Sequence, residues 1–416
     1  MKYAAPSELK GTVKAPPSKS MMIRAAAAGF LSPSGVLIRN PSFCRDADAA
    51  LSLVQALGSR VRRLPEAVFI GGRPGEPKQR RLHTGESGLC IRLFTPISGL
   101  YPGEFTITGE GTLMSRPMTD MESSMLSLGG RCVSRKGTPP LTVCGPLQGG
   151  TARISGRSGS QFLSGLLMAL PLCSCDSRIL VNHPVSLPYI RMTLAVLKDF
   201  SINVNSNQDL TEFDIPGRQK YQGKEYSVEG DWSGAAFWLA AAAVNGDVTL
   251  TGLRSPSLQA DRSILAVLKE TGAHIETKPD AVRVRAGMRK SFFFDAAHCP
   301  DLFPPLAVLG CFCSGTSVIH GVDRLIHKES NRAETLQSEL TRLGADIKIQ
   351  KNSMVIAGQS LQGGTVFSHH DHRIAMAGAV AGLLSRSGVR IEGWDCIQKS
   401  YPEFSAHLMH LGGQGQ

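Results

Sequence analysis

The sequence predicts two α/β domains, each made of three βαβ-containing units. Three observations carry that prediction. An amphipathic helical pattern stopped by Gly or Ser recurs at Gly58, Gly129, Ser201, Gly272, Gly344 and Gly412, 68 to 72 residues apart. A second helical pattern, richer in Ala, Leu and Met, starts near Ser20, Ser87, Ser160, Asp231, Asp301 and Asp371, at nearly the same pitch. The chain has 416 residues, too many for one compact domain and about right for two or three.

Local chemistry justifies each element of the period. The first set of helices, such as LSLVQALG at 51–58 and SILAVLKETG at 263–272, carries apolar residues at i, i+3 and i+4. One stripe of each therefore faces a core. The closing Gly can take a left-handed C-cap, and only the third copy has Ser201 instead. A short β-branched segment usually follows, so the local order is helix then strand. The second set, such as SKSMMIRAAAAGFL and GDWSGAAFWLAAAAV, is apolar around most of its circumference and is predicted to be more buried. Ser or Asp in each opening turn supplies N-cap chemistry. The period is too long for a solenoid of helix pairs. A split near Gly230 leaves three of the second helices on each side.

Composition narrows the class. Apolar residues are 42% and charged residues 19%, so a sizeable core is expected and general disorder is not. The longest apolar runs, 162–172 and 235–244, are helix-length rather than membrane-length. The start MKYAAPSELK lacks the apolar segment of a secretory signal. A soluble, cytoplasmic protein with no membrane partner is the expectation. Ten Cys form no CxxC pair, and Cys173/Cys175 and Cys311/Cys313 lie in apolar runs, which reads as buried reduced thiols. The net charge of +11 comes with only 6% aromatics and with no basic tail or zinc-finger spacing. Small anionic substrates fit that balance better than nucleic acid.

Polar and charged residues gather where the second helices start. These are Lys19, Ser20 and Arg24; Ser87, Gly88 and Arg92; Ser160 and Gln161; Asp231; Asp301; and Asp371, His372 and Arg373. A helix N-terminus presents unpaired N–H groups and about half a positive charge. With Arg116, Lys328, Arg332 and Lys399 added, a cleft formed by converging starts would suit a ligand bearing phosphate and carboxylate groups. HKESNR at 327–332 sets Glu329 between Lys328 and Arg332. That arrangement serves either proton transfer or a capping cluster in which Glu329 pairs with Arg332. Asp301, after Pro300, is likewise either an acid–base group or an N-cap. His369, His370 and His372 do not alternate with other ligands in a metal-binding pattern, and there is no P-loop, GxGxxG or GxSxG. Chemistry without a metal or organic cofactor is expected.

At these motifs the chain resembles the 5-enolpyruvylshikimate-3-phosphate (EPSP) synthase family. The resemblance rests on SKS…R, GESG…R, LMSRPM, SGSQFL, SLPY, VEGDWS, SLQAD, PD, HKESNR, DHRIAM and KSYPEF, in order along essentially the whole chain. It implies the enolpyruvyl transferase fold: two α/β (α+β) domains, each of three βαβαββ units about a pseudo-threefold axis. The chain would cross between domains twice. One domain would comprise 1–17 and 230–416 and the other 18–229, with the active site in the cleft. The implied reaction transfers the enolpyruvyl group of phosphoenolpyruvate to the 5-hydroxyl of shikimate 3-phosphate and releases phosphate. Carried over by motif, Lys19, Ser20, Arg24, Ser160, Gln161, Ser186, Asp301 and Lys328 hold shikimate 3-phosphate. Lys19, Gly88, Arg116, Gln161, Arg332, Arg373 and Lys399 contact phosphoenolpyruvate, with Lys328 touching both substrates. Asp301 is the implied base, Glu329 the implied acid, and Lys19 is counted with them as catalytic. A monomer is also implied.

Four positions depart from the family pattern. Gly159 replaces a Ser of SSQ, and Glu86 replaces a neutral loop residue, where it could face Arg92 or solvent. Asn331 stands for the Asp of KESDR, and Arg191 for an Asp after PYI. A UDP-N-acetylglucosamine enolpyruvyl transferase would carry Asn where this chain has Ser20. An inactive paralogue would have lost Lys19, Asp301 or Glu329, and all three are present.

Overall fold

The computed structural model describes residues 2–414. The chain forms two compact units, residues 17–228 and residues 1–16 with 229–416.

In the 17–228 unit the helices are α1 (Lys19–Leu31), α2 (Arg45–Ala56), α3 (Gly88–Ser98), α4 (Glu122–Ser127), α5 (Gln161–Ala169) and α6 (Leu187–Asp199). The other unit holds α7 (Trp232–Asn245), α8 (Ile264–Glu270), α9 (Phe303–Cys311), α10 (Arg332–Arg342), α11 (His372–Leu384) and α12 (Phe404–His410). The odd-numbered helices are the apolar set. In α7 every residue from Gly234 to Val244 is buried, and in α9 every residue is. Helices α7, α9 and α11 pack on one another pairwise, so they form the centre of their unit. In the 17–228 unit α3 packs on both α1 and α5.

The even-numbered helices end as the repeat predicts. Gly58, Gly129, Gly272, Gly344 and Gly412 all have φ between +85° and +100°, and Ser201 takes the same left-handed region at +61°. Four-stranded sheets recur with one plan: the second strand pairs in parallel with the first and antiparallel with the fourth, and the fourth pairs antiparallel with the third. The sheet that starts at Gly150 is typical, with Gly150–Ser155 beside Ser177–Asn182, then Glu212–Ile215, then Asn205–Ser206. Two sheets borrow a strand from far along the chain. Glu225–Ser227 returns to pair with Val36–Arg39, and Leu9–Lys14 pairs with Gly246–Thr251.

One sheet departs from the four-stranded plan, and one expectation needs correction. The sixth sheet has three strands: Gly364–Phe367, Val389–Glu392 and, from the chain start, Lys2–Ala4. No strand follows α12 among the described residues, so that unit is closed by the first strand of the chain. The cysteines are not uniformly buried: Cys175 is exposed, and Cys144 and Cys396 are half-buried. Among the described residues no helix is long and apolar enough to cross a membrane.

Candidate active site

Each unit gathers its own share of the flagged residues. In the 1–16/229–416 unit, Asp301 lies in a 3-10 turn, Pro300–Leu302, just ahead of α9. Leu302 occupies the N-cap position of α9, which excludes the N-cap reading of Asp301. Its carboxylate instead meets three cations. Oδ1 accepts from Arg332 Nη1 at 2.9 Å and from Lys328 Nζ at 3.4 Å, and Oδ2 accepts from Arg373 Nη2 at 3.0 Å.

Arg332, the first residue of α10, is 1% exposed and is the hub of this cluster. It donates to Asp371 through Nε at 2.8 Å and Nη2 at 3.1 Å, and Nη2 also reaches Glu329 Oε2 at 2.7 Å. Glu329 precedes the helix, and the N-cap residue Asn331 makes no side-chain cap bond. The pair with Arg332 therefore exists, but it is not a capping cluster. Lys399 Nζ stands 4.0 Å from Glu329 Oε1, and its side chain is 4% exposed. Two residues on, Tyr401 is buried against Trp238 and Phe404. The Trp238 Nε1–H donates to the Tyr401 hydroxyl at 2.9 Å.

In the sequence Asp371 marks only a helix start. It is 0% exposed, and its Oδ1 caps α11 by accepting the Arg373 N–H at 2.9 Å. The same carboxylate forks the Arg332 guanidinium, so one side chain orients the starts of both α10 and α11. Helical spacing could not reveal this, because the partners are 39 residues apart.

The electrostatics separate two nearby acids. Burial would push Asp301 up, but Arg373, Lys328 and Arg332 together hold it well below the usual carboxylate range. Asp261 is pushed up to about 7 by burial and then by the charge of Asp301. Its Oδ2 accepts a close hydrogen bond from Ser233 Oγ. The two acids are thus pushed apart, Asp301 toward its ionised form and Asp261 toward its protonated one. Burial also lowers Lys328.

In the 17–228 unit, Lys19 opens α1 and its Nζ donates to Asp46 Oδ2 at 3.0 Å. Ser20 follows it. Arg24, one turn on, is 1% exposed and threads between helices. It donates to Thr193 Oγ1 at 2.8 Å, to the Ser20 carbonyl at 3.0 Å and to Ser164 Oγ at 3.3 Å. Burial lowers it to about 10. Ser160 and Gln161 open α5, and Gln161 Oε1 accepts from Arg92 Nη1 at 3.2 Å. Burial and the charge of Arg116 lower Arg92 to about 10. Gly88 opens α3, where an added Cβ would stand 2.6 Å from Arg116 Nη1. Glycine there leaves the room that the Arg116 guanidinium occupies.

Ser186 holds a left-handed conformation (φ 56°) at the N-cap of α6. Gly159, at φ +118°, occupies backbone that a Ser would adopt only under strain, which accounts for this departure in local terms. Glu86 is half-buried, and its Oε1 accepts the Thr112 N–H at 3.0 Å. Of the partners, Asp46 is the residue that the sequence reading missed; Arg92 and Asp371 were singled out at helix starts and Asp261 lay in SLQAD, but none of the three was assigned its contact. Arg92, four residues after Gly88 on one helix, and Asp371, at a helix start, carried local signals; Asp46 carried none.

One unit thus holds an acid among three cations and the other a basic set at the starts of apolar helices, an arrangement suited to anionic ligands. Solved structures agree with it at the level of fold. EPSP synthase of Acinetobacter baumannii superposes with a TM-score of 0.83 at 23% identity, covering 100% of this chain and 99% of its own. The enolpyruvyl transferase NikO of Streptomyces tendae superposes at 0.80 with 15% identity, covering 100% of this chain and 98% of its own. The fold is therefore that of the enolpyruvyl transferases. Residues 3–408 match the family described as EPSP synthase (3-phosphoshikimate 1-carboxyvinyltransferase). A 3-phosphoshikimate 1-carboxyvinyltransferase of Clostridium kluyveri is 36% identical over 419 aligned positions, spanning 100% of this chain and 98% of that one. The chain belongs to the EPSP synthase family.

Proposed function

We propose that the protein transfers the enolpyruvyl group of phosphoenolpyruvate to the 5-hydroxyl of shikimate 3-phosphate, releasing phosphate, as a step of the shikimate pathway. The observation that carries the reading is Asp301 in contact with Lys328, Arg332 and Arg373, with Glu329 on the same Arg332. A base and an acid are thereby held beside cations that suit a substrate carboxylate and phosphate.

In this reading Asp301 takes the hydroxyl proton as the oxygen bonds to C2 of phosphoenolpyruvate. Glu329 delivers a proton to C3, giving a tetrahedral intermediate. A C3 proton then returns to the Glu329 carboxylate as the C2–O bond to phosphate breaks, which forms the enol ether and frees phosphate. A carboxylate arriving on Arg332 and Arg373 competes with Asp301 for both cations, which relieves the hold that keeps Asp301 a weak base. Lys19, Ser20, Arg24, Ser160, Gln161 and Ser186 are assigned with Lys328 and Asp301 to shikimate 3-phosphate. Lys19, Gly88, Arg116, Gln161, Arg332, Arg373 and Lys399 are assigned to phosphoenolpyruvate. Both units are thus assigned to one reaction. We further take the protein as a cytoplasmic monomer with no nucleic-acid or membrane partner.

Phosphate release from purified protein, with each substrate omitted in turn, tests the assignment. Release should require both substrates and fall at least about a hundredfold in Asp301→Ala and in Glu329→Ala. A folded wild-type protein that releases no phosphate would refute it.

A further inference from the structure

We propose that Glu86 is a positioning residue for Arg116; the inference rests on the reading of Arg116 as a phosphoenolpyruvate contact. On charge alone a carboxylate here is adverse, since Lys19, Arg92 and Arg116 make this part of the unit basic and the assigned ligands are anions. Geometry gives the carboxylate a task. Glu86 Oε1 accepts the N–H of Thr112 at 3.0 Å, and Thr112 is the second residue of the 3-10 turn Gly111–Ser115. Arg116 is the C-cap of that turn and donates its own N–H to the Leu113 carbonyl at 3.1 Å. A parallel backbone bond runs from the Glu110 N–H to the Gly85 carbonyl at 3.0 Å. Two adjacent residues of the 85–88 loop therefore clamp the turn that carries Arg116.

The turn is shaped to receive this side chain. Gly111 has φ +55°, and a Cβ added there would overlap the Glu86 carboxylate. At the other end of the same loop, Gly88 leaves room for the Arg116 guanidinium. The loop thus holds the turn of Arg116 through Glu86 and leaves space for its side chain at Gly88. An N-terminal N–H of a 3-10 turn has no partner within the turn, so a carboxylate acceptor is the stronger of the available anchors.

The test compares steady-state constants of Glu86→Ala, Glu86→Gln, Gly111→Ala and the Glu86→Ala/Gly111→Ala double variant, with thermal unfolding measured beside them. Glu86→Ala should raise KM for phosphoenolpyruvate at least about fivefold while KM for shikimate 3-phosphate stays within about twofold. Glu86→Gln keeps an oxygen for the Thr112 N–H and should restore most of the loss. Gly111→Ala should mimic Glu86→Ala, and the double variant should bind phosphoenolpyruvate no worse than the single variants. A KM for phosphoenolpyruvate in Glu86→Ala equal to or below wild type overturns the proposal, because the carboxylate then only opposes the anion or only supports the fold. Wild-type turnover is the control for the function itself: its absence removes the reaction proposed above. Equal calorimetric affinities of wild type and Glu86→Ala for phosphoenolpyruvate overturn the positioning role with or without turnover.

Discussion

Asp261 and Asp301 show how environment gives two identical side chains opposite proton affinities. Asp301 meets three cations, whereas Asp261 is 1% exposed and bonded to a neutral hydroxyl. Raising Asp261 from its ordinary 3.8 to about 7 means the folded protein binds its proton more tightly than the unfolded chain does. That contribution to stability is fully present below about pH 3.8 and is lost as pH rises through about 7, with a ceiling of about 4 kcal/mol. Asp261→Asn keeps an acceptor for Ser233 and removes the titration. Urea unfolding should find the variant more stable than wild type at pH 8.5, with the gap shrinking at pH 5.5. A gap of equal size at both values would refute this account. Position 261 lies in a recognised motif, SLQAD, yet its role was not legible: its partners sit 28 and 40 residues away, in other elements. Asp301, Glu329 and Arg332 were legible because short motifs carry them. Their shared anchor, Asp371, was not, because an N-cap and an arginine fork look alike in sequence.

Elements were legible where their signals were local. The closing Gly of each amphipathic helix marks left-handed backbone at five positions, and the repeat itself singled out Ser201 as the exception. Ser at φ +61° carries a steric cost that Gly does not. Ser201→Gly should therefore raise stability by about 0.5–1 kcal/mol in chemical denaturation, less the entropy Gly adds to the unfolded chain. A loss of stability would show that the Ser201 side chain contributes more than its backbone costs. Strand exchange was the illegible part. Leu9–Lys14 and Gly246–Thr251 pair in register although more than 230 residues separate them, and nothing local in either segment names the other. The same holds for Lys2–Ala4, which pairs with Val389–Glu392 from the other end of the chain.

At the scale of the whole molecule, the net charge of +11 is unevenly shared. Residues 17–228 carry 24 Lys and Arg against 15 Asp and Glu, a surplus of 9, while the remaining residues carry 21 against 19, a surplus of 2. Within the second set, Asp301, Glu329 and Asp371 pair with cations of their own unit. The long-range field on an approaching anion therefore comes mainly from the 17–228 unit, which holds Lys19, Arg92 and Arg116. Both proposed substrates are multiply charged anions, and their approach is aided by such a field over about a Debye length, roughly 10 Å at 0.1 M salt. Raising NaCl from about 20 to about 300 mM, at pH 7.5, should lower kcat/KM for each substrate several-fold, with kcat changed much less, since screening acts on encounter and not on buried pairs. Reversing charge at Arg62 or Lys78, exposed and outside the assigned site, should weaken that salt dependence. If kcat/KM holds constant across the salt range, the surplus on residues 17–228 does not serve substrate capture.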